Sequence, residues 1–146
     1  MEYSRFKQLA EKVKERAREK LLQTGEVPLT LFIVKSNDQI KIIELAHEVP
    51  QPIHETIRDT VRRLDGTAVV VVGEAWMTEI SGDQAPASGD PTRMEILMVE
   101  AIHSEGSISW VMRISREGGR IACGRAQRLE EGDTVFGGGL SDILTR

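Results

Sequence analysis

The side chains of this sequence whose types and spacing could do chemistry are Glu74, Trp76, Arg93 and Glu95. Glu74 and Trp76 follow a run of four valines, and the other two follow a loop rich in Gly, Pro, Ser and Asp, residues 81–92. If the segments before and after this loop pair as antiparallel strands, these side chains converge at one end of a sheet. A carboxylate, an indole and a guanidinium would then line a pocket beneath the loop.

The same residues also have a structural interpretation. An ion pair between Arg93 and a carboxylate, roofed by Trp76, would fix the end of the sheet without binding a ligand. The sequence favours this interpretation. In the alternative, Glu74 acts as an acid or base and Arg93 orients an anionic group of a small molecule.

No other pattern predicts a catalytic, metal or cofactor site. The histidines His47, His54 and His103 lack the i, i+4 or His-x-His spacing that would suggest a zinc site. Cys123 is the single cysteine, which excludes an intrachain disulfide, and no histidine lies near it in sequence. The nucleophile elbow Gly-x-Ser-x-Gly and the Walker pattern are both missing from the sequence. We therefore expect no metal, no cofactor and no catalytic residue.

Composition is typical of a globular domain. The chain has 146 residues, of which 40% are hydrophobic and 29% charged, enough for one domain with a buried core. Its apolar runs fall well short of the roughly 20 residues of a membrane span, and its first residues form a charged amphipathic segment. These features predict a cytoplasmic protein that does not contact a membrane.

Charge is distributed unevenly along the chain. The net charge is −4, yet residues 1–20 hold seven Lys/Arg against four Glu, and residues 113–128 hold five Arg against one Glu. Residues 74–105 hold seven Asp/Glu against one Arg. Such a surface favours oriented association with charged proteins, including copies of the same chain. Aromatic residues make up only 4% of the chain, which disfavours nucleic acid as a partner. Binding of a polyanion to the two basic segments is a further alternative function.

Hydrophobic periodicity predicts an order of two helices and six strands. Residues 3–23 form a helix with an apolar stripe and a basic flank, and a second helix runs from Pro52 to Gly66. The basic flank consists of Arg5, Lys12, Arg16 and Lys20. The valines Val69–Val72 require a central strand that is covered on both faces. The other strands are predicted at 29–35, 40–46, 94–103, 108–116 and about 120–127.

These elements define an α+β fold. We expect an N-terminal helix, a β-hairpin, a crossover helix and a four-stranded antiparallel meander, αββαββββ, in one mixed sheet. This order resembles that of profilin-like and roadblock-type domains, and the resemblance in element order carries over no functional residue. Residues 1–129 are assigned to a single domain, and residues 130–146, with three consecutive glycines, to a flexible C-terminal tail.

The sequence thus predicts a small cytoplasmic binding or assembly module of bacterial type that self-associates and is not an enzyme. The alternative is a small-molecule enzyme or sensor whose site lies at the end of the central strand, at Glu74 and Trp76 beneath the 81–92 loop. Either function depends on what surrounds these residues in the folded chain.

Overall fold

The structure is a computed structural model that describes residues 1–45, 52–78, 93–129 and 143–144. Its elements, in chain order, are α1 (Tyr3–Thr24), β1 (Thr30–Lys35), β2 (Ile40–Glu44), α2 (Ile53–Arg63), β3 (Gly66–Thr78), β4 (Arg93–His103), β5 (Gly106–Glu117), β6 (Arg120–Cys123) and β7 (Gln127–Leu129). The α+β class and the predicted order of helices and strands are confirmed.

The seven strands form one sheet in the order β2-β1-β3-β4-β5-β6, and β7 also pairs with β5. Every described pairing is antiparallel. β2 and β3 run in the same direction, as a crossover requires, but β1 lies between them, so they form no parallel ladder. The prediction of a mixed sheet is therefore wrong for the described strands, which form an antiparallel sheet. The last predicted strand is divided into β6 and β7 around Gly124, whose N–H donates to the carbonyl of Arg113 at 2.8 Å.

The valine run forms the centre of the sheet, as predicted. β3 lies between β1 and β4, and Val69 to Val72 are each no more than 2% exposed. Val70 and Val72 pack in the cluster under α1, whereas Val69 and Val71 pack in the cluster under α2. Alternating side chains of one strand therefore build two cores, one on each face.

α1 covers one face of the sheet with its predicted apolar stripe. Its buried residues are Phe6, Ala10, Val13, Ala17 and Leu21. The helix ends at Gly25, which has a φ of 87° and donates its N–H to the carbonyl of Leu21 at 2.8 Å. A left-handed residue at this position is the usual way to stop a helix, and it turns the chain back toward β1.

α2 covers the other face, but its predicted stop at Gly66 needs correction. Ile57 and Val61 are buried, whereas Ile53, the first residue of the helix, is 40% exposed. The helix ends before Gly66, and Asp65 takes the left-handed conformation with a φ of 54°. Gly66 instead begins β3, where an added Cβ would lie 2.7 Å from a methyl carbon of Ile33. This glycine is required for close packing of α2 on the sheet.

Part of the predicted tail joins the second core. Ile143 is buried in the cluster under α2, and Leu144 packs beside it. The loop 81–92 and the other residues of the tail lie outside the described residues. Neither described helix is long and apolar enough to cross a membrane.

Candidate functional site

The antiparallel pairing of β3 with β4 sets the geometry of the predicted site. Trp76 lies directly opposite Glu95, and Thr78 lies opposite Arg93. Glu74 and Trp76 follow Val70 and Val72 on the α1 face of the sheet. The expected hairpin is thus confirmed, and it places Glu74, Trp76 and Glu95 at one end of the sheet. Arg93 begins β4, and its side chain lies outside the described part of the structure.

The guanidinium that pairs with these carboxylates comes from Arg116, a residue of β5. Its Nε lies 3.0 and 2.9 Å from the two carboxylate oxygens of Glu95. Its Nη2 lies 2.7 Å from Oε1 of Glu74 and 2.8 Å from Oε1 of Glu95. One arginine therefore joins three adjacent strands. We call Glu74, Glu95 and Arg116 the Arg116 cluster.

The cluster also holds the segment between α1 and β1. Nη1 of Arg116 donates to the carbonyl of Gly25 at 2.7 Å, and the N–H of Val27 donates to Oε2 of Glu74 at 2.8 Å. These contacts satisfy backbone groups just after the end of α1, where no helical partner is available. The cluster thus fastens the C-terminal end of α1 to the sheet.

The two carboxylates share one guanidinium, and their pKa values move apart. Burial raises the pKa of Glu74, and the neighbouring Glu95 adds to this effect, while the N–H of Val27 and Arg116 oppose it. The hydrogen bonds from Arg116 lower the pKa of Glu95. The two carboxylates in turn raise the pKa of Arg116. Glu95 is therefore the carboxylate that stays ionised to lower pH, and Glu74 is the one that is easier to protonate.

The contacts of the Arg116 cluster favour a structural role. Each carboxylate oxygen of Glu74 and Glu95 already accepts a hydrogen bond, whereas a general base needs a lone pair directed at its substrate. An ion pair is present at this end of the sheet, with Arg116 as its cation. The expected pairing of Arg93 with a carboxylate stays a prediction, because the side chain of Arg93 is not described. Trp76 is 66% exposed, so its indole is accessible from solvent.

Histidine and cysteine side chains contribute no site among the described residues. His103 stacks on Tyr3, with 5.0 Å between ring centroids, and its Nε2 lies 2.9 Å from the carbonyl oxygen of Met1. Burial raises the pKa of the Cys123 thiol, which keeps it protonated at neutral pH. His47 lies outside the described part of the chain. Within that part, no three His, Cys, Asp or Glu side chains gather as metal ligands.

A second candidate site, which the sequence interpretation missed, is the outer edge of β2. This strand ends the sheet, and none of the described strands lies on its outer side. Ile42 is 60% exposed and Ile40 is 43% exposed, although both are large and apolar. Three isoleucines in five residues were a visible signal, but periodicity assigns them to a strand without showing that it lies at an edge.

The pairing with β1 leaves three residues of β2 with outward-pointing backbone groups. The N–H of Lys35 donates to the carbonyl of Gln39, and the N–H of Leu45 donates to the carbonyl of Leu29, both at 2.8 Å. In an antiparallel ladder, backbone groups of alternate residues point to the same neighbour. Odd-numbered residues of β2 therefore bond to β1. The residues whose N–H and C=O point outward are Ile40, Ile42 and Glu44.

The side chains of these three residues all lie on the α1 face. They pair with Val34, Phe32 and Thr30 of β1, and the first two of these belong to the core under α1. A groove of about 180 Å³ runs between α1 and this edge. Its lining residues include Val13, Arg16, Ala17, Lys20, Phe32, Ile42 and Glu44. We call the outward residues and this groove the β2 edge surface.

The basic flank of α1 follows the same edge. Arg16 and Lys20 line the groove beside Ile42 and Glu44. At the other end of the strand, Arg5 lies 3.9 Å from Asp38 in the turn between β1 and β2. The β2 edge surface thus combines an apolar floor, one basic wall and outward backbone groups that pair with none of the described strands, which are the components of a strand-pairing site.

Comparisons with protein-family models, with curated proteins and with solved structures found no match for this chain.

Proposed function

We propose that this protein is a small, non-enzymatic binding or assembly module of the cytoplasm, of bacterial type, which associates with a second copy of itself. The observation that carries the proposal is the β2 edge, which borders no further strand in the described part of the chain and has Ile42 60% exposed beside outward-pointing backbone groups. Exposed backbone of this kind is a template for another strand, and exposed isoleucines beside it favour burial by association.

The electrostatics of the chain support the same function. The basic flank of α1 follows the β2 edge, and acidic residues are concentrated between residues 74 and 105. Segments of opposite charge orient approaching molecules and raise their rate of encounter. The Arg116 cluster supports a non-enzymatic protein, because its carboxylates are engaged with an arginine and a backbone N–H.

Sedimentation equilibrium of the full chain over a range of micromolar concentrations tests self-association. We expect a reversible rise in mass from one chain toward two, because the exposed edge is buried only when two molecules meet. A constant monomer mass across the range would overturn the proposal. Repeating the run at high salt separates the apolar contribution from the charged one, since salt screens only the latter.

Trp76 favours a second candidate function, a small-molecule sensor or enzyme at the end of β3. Its indole is 66% exposed and lies on the same face as Glu74, whose pKa is raised. Titration of the protein with a panel of small anionic and cationic metabolites, followed by tryptophan fluorescence, tests this function. A response of the wild type that is lost in Trp76→Phe, where only Trp110 remains, would support it. An unchanged signal throughout the panel would dismiss it.

A further inference from the structure

From the geometry of β2 we infer that two copies of the chain pair through this strand, antiparallel about a two-fold axis at Ile42, joining their sheets into one. This inference rests on the proposed self-association and names its surface and register. A two-fold axis perpendicular to the sheet keeps the α1 face of one copy beside the α1 face of the other. In every allowed register, the paired residues of the two β2 strands must therefore lie on the same face of the sheet.

Hydrogen bonding favours the register centred on Ile42. In that register Ile42 faces Ile42 of the second copy, and Ile40 faces Glu44 at both ends. All three residues with outward N–H and C=O groups on each copy then have a partner, which gives about six backbone hydrogen bonds between the copies. A shift by two residues in either direction leaves one outward residue of each copy unpaired.

Side chains favour the same register. Shifting the axis to Lys41 would bring two lysines face to face on the α2 side, which is unfavourable for like charges. With the axis at Ile42, two isoleucines that are 60% exposed in the single chain cover each other. Lys41 then faces Ile43, where its ammonium group can extend to solvent.

Charge complementarity identifies the partner as a second copy. The pairing brings the basic flanks of two α1 helices to opposite sides of the isoleucine floor. Each Glu44 then lies between these flanks, at the end of the partner's strand where Arg5 contacts Asp38. Each copy thus places a carboxylate at the Arg5 end of the other copy's basic flank. Two identical edges are therefore complementary in backbone, apolar and charged groups alike.

Cysteine cross-linking in a Cys123→Ser background tests the register. Cα atoms of directly hydrogen-bonded antiparallel residues lie about 5.5 Å apart, within the range of a disulfide. We expect Ile42→Cys to form covalent dimers under mild oxidation. Ile40→Cys and Glu44→Cys should each stay uncross-linked alone and should cross-link when they are mixed. Leu22→Cys, at an exposed position of α1, is the control and should remain monomeric on a denaturing gel.

The outcomes separate this inference from the proposed function. A protein that is dimeric by sedimentation but shows no 42–42 cross-link associates through another surface, which overturns the inference and leaves the function standing. A protein that is monomeric by sedimentation overturns both, even if its β2 edge binds an extended peptide of another protein. Circular dichroism of each cysteine variant verifies the fold, and all three β2 positions are exposed in the single chain.

Discussion

The Arg116 cluster and the β2 edge surface lie on the same face of one sheet but differ in how completely their polar groups are paired. At the cluster, the carboxylates of Glu74 and Glu95 and the nitrogens of Arg116 all have partners in the chain. At the edge, Ile42 is exposed and the backbone groups of alternate residues point away from β1. The difference shows that a cluster of charged side chains can be structural, while a short apolar strand at the edge of the sheet can provide the binding surface.

The largest expected effect comes from placing a charge on the edge. Ile42→Lys should raise the dissociation constant of the dimer by about 100-fold, because the change occurs in both copies at the centre of the interface. The free energy of unfolding of the monomer should change little, since this side chain is 60% exposed. Sedimentation equilibrium and urea unfolding measure the two quantities.

Leu22→Lys is the matched control for this change. Leu22 is 47% exposed on α1, does not line the β2 groove and should leave both quantities unchanged. Equal weakening of association by both lysines would show that net charge, and not the β2 edge, determines assembly.

The next largest effect is expected at the Arg116 cluster, where a substitution should lower the stability of the monomer and leave its association unchanged. Arg116→Met should lower the free energy of unfolding by about 1–3 kcal/mol, because two adjacent carboxylates and the carbonyl of Gly25 lose their donor. Dimer formation should persist. Arg113→Met, at an exposed position of the same strand, should cost less than about 0.5 kcal/mol. A stable Arg116→Met variant would contradict the structural role of the cluster.

The sequence predicted the parts of this comparison that depend on local pattern. The burial of Val69–Val72 and the apolar stripe of α1 follow from periods of 2 and 3.6 residues, which need no knowledge of distant contacts. The convergence of Glu74 and Glu95 followed from assuming a single hairpin, β3 with β4. These predictions hold because each rests on one element or on two consecutive ones.

The parts that were missed depend on the order of strands across the sheet. Arg116 was not predicted as an ion-pair partner, because it reaches both carboxylates from β5, which does not follow from the β3–β4 hairpin alone. The exposure of Ile42 likewise depends on β2 being the last strand. The period of apolar side chains shows which face of a strand is buried, but it does not show which strands lie beside it.

A smaller effect distinguishes the two carboxylates by pH. The pKa of Glu95 is lowered in the folded state, so its contribution to stability is present above the ordinary pKa of a glutamate and is lost as the pH falls through the lowered value. The pKa of Glu74 is raised, so its contribution is present at low pH and is lost as the pH rises through the raised value.

Urea unfolding of two amide variants between about pH 3 and 6 measures this difference. Relative to wild type, Glu95→Gln should lose stability as the pH rises, and Glu74→Gln should gain it. Parallel pH profiles for the two variants would show that the carboxylates are equivalent, contrary to the unequal contacts seen here.

The smallest effect is expected at Trp76. Trp76→Ala should change the free energy of unfolding by no more than about 0.5 kcal/mol, because the side chain is 66% exposed. It should also leave dimerisation unchanged, since Trp76 lies at the end of β3 and not on the β2 edge. A loss of stability comparable to that of Arg116→Met would show that the indole also stabilises the Arg116 cluster.

Residue-resolved amide hydrogen exchange as a function of protein concentration tests the central claim most directly. We expect the outward N–H groups of Ile40, Ile42 and Glu44 to exchange rapidly in dilute protein and to become protected as the concentration rises. The N–H of Ile43, directed toward β1, should stay protected at every concentration. Rapid exchange at Ile42 in a sample that is dimeric by sedimentation would contradict pairing through the β2 edge.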